Sequence, residues 1–131
     1  MPYGDATSGE IERVAAEIVD AAYKVHRALG PGLLESSYEM LLIYELRKRG
    51  LKVLDQVLVP IVYDGITFDT DYRLDLLVED LIVVEVKAVE LMHAVYQAQV
   101  MTYLKITHKR LGLLINFNVV HFKDAVKRII L

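Results

Sequence analysis

The chain has 131 residues, 54% hydrophobic and 25% charged, which fits one folded domain around a single core and excludes a disordered chain. It has no cysteine, hence no disulfide framework or thiolate chemistry, and no apolar run near the ~18 residues of a membrane span. A net charge of −3 and a pI near 5.8 argue against a protein that grips duplex nucleic acid mainly by charge.

Residues 1–7 read as a loose arm of a single domain spanning 1–131. They lack a basic-then-apolar leader, so a cytoplasmic protein with no membrane partner is expected. Thr7 and Glu10 have capping-box spacing, which starts a helix near Ser8. Ile11, Val14, Ala15, Ile18, Ala22, Val25 and Leu29 recur at helical spacing as its buried stripe. His26 sits at the stripe's edge and reads as a structural or surface histidine. Gly30-Pro31-Gly32 ends the helix.

A second helix is expected from Leu33 to Arg49, with Leu34, Tyr38, Leu41, Leu42 and Leu46 buried. Glu35 falls in its first turn, where a carboxylate favours the helix dipole. It also flanks the apolar stripe and can look toward a sheet. Arg47, Lys48, Arg49 and Lys52 form the densest basic cluster, suited to the helix end or to phosphate. Val57 to Tyr63 and Ile66 to Phe68 flank Asp64-Gly65, a hairpin signal, with Pro60 marking an edge or bulge.

Tyr72 to Lys87 reads as two apolar strands joined by a tight turn near Glu79-Asp80, interrupted by Asp75, Glu85 and Lys87. Strand alternation puts Glu85 and Lys87 on one face. Charges in a central strand are costly unless paired or metal-bound. A structural Glu–Lys pair and a wet sheet face are the plain alternatives. If Asp75 and Glu85 are to share a metal, parity makes a sharp demand. A regular two-residue loop would put Asp75 and Glu85 on opposite faces. A three-residue loop over 78–80 would make them diagonal neighbours on one face, so an odd loop, a bulge or a break is expected.

A third helix is expected from Met92 to Ile106, with Gln99 and Tyr103 four apart on one side. Leu111 to Phe117 reads as a strand buried on both faces, and Val126 to Leu131 as a last short strand. A turn, or one helical turn, falls at Phe122 to Ala125.

An Asp followed by a hydrophobic strand ending in Glu-x-Lys resembles the motif of the PD-(D/E)XK nuclease superfamily, with Asp75, Glu85 and Lys87 in its positions. Gly32-Leu33-Leu34-Glu35-Ser36-Ser37-Tyr38 fits the Gly-x-x-Glu-x-x-Tyr signature of the GxxExxY family, small bacterial and archaeal proteins placed in that superfamily. Gln99 to Tyr103 looks like the Gln-x-x-x-Tyr motif of its recombination-nuclease branch. The resemblance runs from about Ile11 to Leu131. It implies an α/β, restriction-endonuclease-like core, with a mixed sheet of four to five strands, two N-terminal helices and one crossover helix. It also implies Mg²⁺ or Mn²⁺ held by Asp75, Glu85, the Val86 backbone carbonyl and Glu35. Lys87 would then act on the attacking water, and Gln99 would position the reacting groups. Tyr38 and Tyr103 would wall the site and Arg73 would touch phosphate. The reaction would be phosphodiester hydrolysis in DNA or RNA. A core this short would need a homodimer, a protein partner or a small structured substrate. A non-cleaving binding or regulatory module, and a structural homodimer with paired strand charges, are the rival readings.

Overall fold

The protein is described here by a computed structural model covering residues 8–131. The expected arm and the capping role of Thr7 lie outside the described residues. Helix α1 spans Gly9–Leu29 and is capped by Ser8, whose hydroxyl accepts from the Ile11 N–H at 3.4 Å. Its stripe is buried as the spacing requires, except that Leu29, the last residue of the helix, stays half exposed. His26 is structural. It is buried, and its Nε2 donates to the Val119 carbonyl at 2.6 Å.

Helix α2 spans Glu35–Lys48 and buries Tyr38, Leu42 and Leu46. Leu34 does not join that face. It is the extended cap residue and points to solvent, 73% exposed.

The strands are β1 (Val53–Leu58), β2 (Ile61–Tyr63), β3 (Ile66–Phe68), β4 (Arg73–Val78), β5 (Ile82–Lys87), β6 (Leu111–Asn116) and β7 (Val126–Ile130), and helix α3 spans Ala94–Thr107. A five-stranded sheet runs β1-β4-β5-β6-β7, and β2-β3 forms a separate ribbon. Only β5 and β6 are parallel within the large sheet. Helix α3 makes the crossover that a parallel pair needs. The residues expected to form one strand from Val57 to Tyr63 are split. Pro60 has no N–H for a ladder. β1 therefore stays on the main sheet's edge while β2 leaves to pair with β3.

Two apolar layers sandwich the sheet. Helices α1 and α2 pack on Leu76, Val84, Val86 and Leu113, whereas α3 packs on Leu74, Val83 and Leu114. Burial on both faces explains why β6 is continuously apolar. At Gly112 the backbone of β6 comes so close to α3 that an added Cβ would lie 2.5 Å from Val100 Cγ1. A branched, fully buried valine has no room to yield. Gly112→Ala should therefore cost about 1–3 kcal/mol through overpacking, read as a lower midpoint in urea unfolding. An unchanged midpoint would mean that α3 is not seated this tightly.

Candidate active site

The central hairpin has the odd loop that parity demands, displaced by one residue. Glu79, Asp80 and Leu81 lie between paired residues Val78 and Ile82. Glu79 and Asp80 both have positive φ, 53° and 54°, and the Leu81 N–H donates to the Val78 carbonyl at 3.0 Å. That is the backbone of a tight hairpin turn with Leu81 as an extra residue. The ladder pairs Leu77 with Val83 and Leu76 with Val84. By count, Asp75 comes level with Glu85 rather than diagonal to it, although the ladder itself ends at Leu76 and Val84.

The ladder stops just where the charges begin. Beyond Leu76 and Val84, side chains replace backbone bonding. The Asp75 N–H donates to Glu85 Oε1 at 2.9 Å, and the Val86 N–H donates to Asp75 Oδ2 at 2.8 Å. On the other side of β4, pairing with β1 skips Gln56 and Asp75, and Gln56 has φ +51°. A left-handed non-glycine residue costs on the order of 1–3 kcal/mol and needs support from its surroundings. Both strands change face at this point. Val53 and Leu76 pack toward α1 and α2, but Val57 and Leu74 pack toward α3. The Phe117 N–H bonds the Lys87 carbonyl at 2.9 Å, which assigns Glu85 and Lys87 to the β6 ladder. Alternation then aims the amide and carbonyl of Val86 at the gap beside β4.

Glu85 is 4% exposed. Burial, followed by the negative charge of Asp75, pushes its carboxyl up to about 9, against the pull of the Asp75 N–H and Lys87. Lys87 lies on the same face, its Nζ 4.6 Å from the centre of the Tyr96 ring. Glu35 reaches the open end of β5 from α2. Burial raises its carboxyl, the Lys87 charge lowers it, Asp75 raises it again, and the Ala88 backbone bonds it. On α3, Gln99 Nε2 donates to the Tyr103 hydroxyl at 3.1 Å. Burial and then the Glu85 charge raise the Tyr103 hydroxyl pKa. Glu35, Asp75, Glu85 and Lys87 thus converge electrostatically, with Gln99 and Tyr103 beside them. Arg73 is exposed at the head of β4.

Tyr38 needs correction as a site wall. It is wholly buried, stacked on Phe117 at 4.6 Å, and its hydroxyl donates to the Gly30 carbonyl and accepts from the Leu33 N–H at 3.1 Å. Gly32 has φ +109°, a conformation that favours glycine. The spaced Gly, Glu and Tyr therefore form one device: glycine makes the turn, tyrosine locks it, and Glu35 is aimed at the sheet. Tyr38→Phe should cost about 1–2 kcal/mol, because it strands the Leu33 N–H, without raising KM for any substrate. A higher KM at unchanged stability would restore the wall role.

Several residues escaped the sequence reading. Gln56 Nε2 donates to Glu39 Oε1 at 2.8 Å and approaches Asp75 Oδ1 at 3.4 Å. It separates two carboxylates and steers one. Glu39, one turn after Glu35, was detectable from its helical spacing. Tyr96 and Gln56 carry no such signal. Buried Asn116 closes the apolar run of β6. It accepts from the Val89 N–H at 3.1 Å and donates to the Val89 carbonyl at 3.0 Å, fixing the chain just past Lys87. Two residues of the basic cluster are tied to acids. Arg49 bonds Glu17 at 3.1 Å and Asp20 at 2.8 Å, and Arg47 lies 3.6 Å from Asp55.

Among the described residues, no three His, Asp or Glu side chains are grouped to hold a metal ion. The donors at the strand gap nevertheless fit a hard cation. Mg²⁺ commonly takes one or two carboxylates and keeps its waters. Asp75, Glu85 and the Val86 carbonyl would supply that set, and a buried carboxyl raised by its neighbour is relieved by positive charge.

A family model of the PD-(D/E)XK nuclease superfamily matches residues 12–129. The chain belongs to the PD-(D/E)XK nuclease superfamily. No curated protein and no solved structure matches it significantly. The three helices and mixed five-stranded sheet agree with the restriction-endonuclease-like core of PD-(D/E)XK proteins. Membership implies a nuclease-type function on nucleic acid, and PD-(D/E)XK nucleases generally depend on divalent metal. No helix among the described residues is long and apolar enough to cross a membrane.

Proposed function

We propose that this protein is a cytoplasmic, metal-dependent nuclease of the GxxExxY type that hydrolyses phosphodiester bonds. The observation that carries the reading is the pair of side-chain bonds where the β4–β5 ladder opens, Asp75 N–H to the Glu85 carboxylate and Val86 N–H to the Asp75 carboxylate, with Lys87 one step beyond Glu85 on the same face. Asp75, Glu85 and the Val86 carbonyl would hold Mg²⁺ or Mn²⁺, and Glu35 would support it. Bound there, the cation supplies a more acidic water and offsets charge on the phosphate.

The side chains do the rest. Lys87, steadied on Tyr96, orients the attacking water and faces the charge that grows on the phosphate oxygens. Gln99 and Tyr103 form the rim, and Arg73 approaches the next phosphate. Gln56 keeps Asp75 turned toward Val86.

The test is a panel of linear, circular, single-stranded, branched and RNA substrates with Mg²⁺ or Mn²⁺, run beside Asp75→Asn. Cleavage that the substitution removes is expected. Binding without cleavage would make the chain a binding or regulatory module. Neither binding nor cleavage would leave only a structural role for the strand charges.

A further inference from the structure

Beside the site lies a cleft of about 260 Å³, lined by Val59, Ile61, Tyr72, Gln99, Tyr103 and Ile106 among others. It is slightly smaller than the ~300 Å³ at which pockets for drug-sized ligands begin, a size suited to one aromatic heterocycle. Gln99 and Tyr103 belong to both the cleft and the rim. A group in the cleft therefore adjoins the phosphate position. Gln99 gives one N–H to Tyr103, and its carbonyl and second N–H remain to meet a polar edge.

The cleft continues onto an exposed apolar surface. In the β2–β3 ribbon Ile61 pairs with Phe68 and Tyr63 with Ile66, so these four share one face. Tyr63 is 73% exposed and Tyr72 56%. A two-stranded ribbon with an uncovered apolar face is marginal by itself. Charge narrows the occupant. The chain carries −3 net, and Arg47 and Arg49 face their own acids. With the two arginines of the densest basic cluster engaged by acids, an apolar aromatic face favours contacts other than neutralising many duplex phosphates. Stacking of unpaired bases on aromatic rings needs few cations and tolerates any sequence.

We propose that the cleft takes one unpaired base of a single-stranded or locally melted nucleic acid, stacked by Tyr72, with the neighbouring bases laid along Tyr63 and Phe68. The inference rests on the nuclease reading and names the substrate's strandedness.

The experiment is fluorescence anisotropy of the full chain with a labelled 12-nucleotide single strand and its duplex, in EDTA so that neither is cut. The single strand should bind at least tenfold tighter. Tyr72→Ala, and Tyr63→Ala with Phe68→Ala, should each weaken it by about tenfold, the scale of one stacked base. Tyr72→Phe should bind like the parent, which separates lost stacking from lost folding. Equal or tighter binding of duplex, or no effect of Tyr72→Ala, overturns the proposal, while duplex cleavage with Mg²⁺ would leave the nuclease reading intact. If the Tyr63→Ala, Phe68→Ala pair turns a dimer into a monomer at unchanged affinity, the ribbon face belongs to a second copy and the track is refuted. No binding together with no cleavage overturns both readings.

Discussion

Lys87→Ala should lower metal-dependent cleavage by about 10²- to 10⁴-fold, the usual worth of a placed group that handles the reacting proton. The loss should fall on kcat, with KM almost unchanged. Stability should change little, because the Lys87 ammonium rests on a ring face in a partly exposed position, a contact worth about 0.5–1 kcal/mol. Lys87→Arg should recover only part of the rate, since a planar guanidinium does not replace a compact ammonium. Single-turnover kinetics beside thermal melts would separate these effects. Full activity in Lys87→Ala would move the chemistry to another residue.

Glu85→Gln should abolish activity yet make the metal-free protein more stable above neutral pH. Burial and the Asp75 charge push the native Glu85 carboxyl up to about 9, above the ordinary 4.5 of a solvated carboxyl in the unfolded chain. The native state therefore binds the extra proton between these values. Stability must fall as pH rises from about 4.5 to about 9, by up to tenfold in the folding constant per pH unit, and level off above. Glu35 and Glu39, also raised by burial, add slopes of the same sign. Glutamine keeps a carbonyl for the Asp75 N–H and never ionises, so the main slope should vanish. Urea unfolding at several pH values would show it. In the parent, millimolar Mg²⁺ should raise the melting temperature more at pH 8 than at pH 6, because the cation displaces a proton. Equal pH profiles for parent and variant would place Glu85 in a wetter setting than its burial indicates.

How far the sequence reveals this site depends on which physical rule places each residue. Asp75, Glu85 and Lys87 were legible as charges inside apolar strands, and period-two parity showed that an ordinary hairpin could not unite them. The loop's register was not legible to the residue, because Glu79 and Asp80 carry no glycine to announce two positive φ angles. Helices α1 and α2 followed from their apolar spacing, and the end of α1 from Gly30. Pro60 was read as an edge mark, but splitting one apolar run between two sheets is a tertiary outcome. Gln56 and Tyr96 act through a strained backbone and a helix crossing, neither of which leaves a periodic trace. Tyr38 sat in a functional-looking motif, and its use of the hydroxyl to brace Gly30 and Leu33 emerges only from packing.

The central claim is that Asp75 and Glu85 hold a divalent cation whose presence makes the chain a nuclease. The most direct measurement is a Mn²⁺ titration in which calorimetric binding and the initial rate of oligonucleotide cleavage are followed on the same samples of parent and Asp75→Asn. Binding and rate should saturate together in the parent, and both should disappear in Asp75→Asn. Cleavage that persists in Asp75→Asn, or in excess EDTA, would contradict the account.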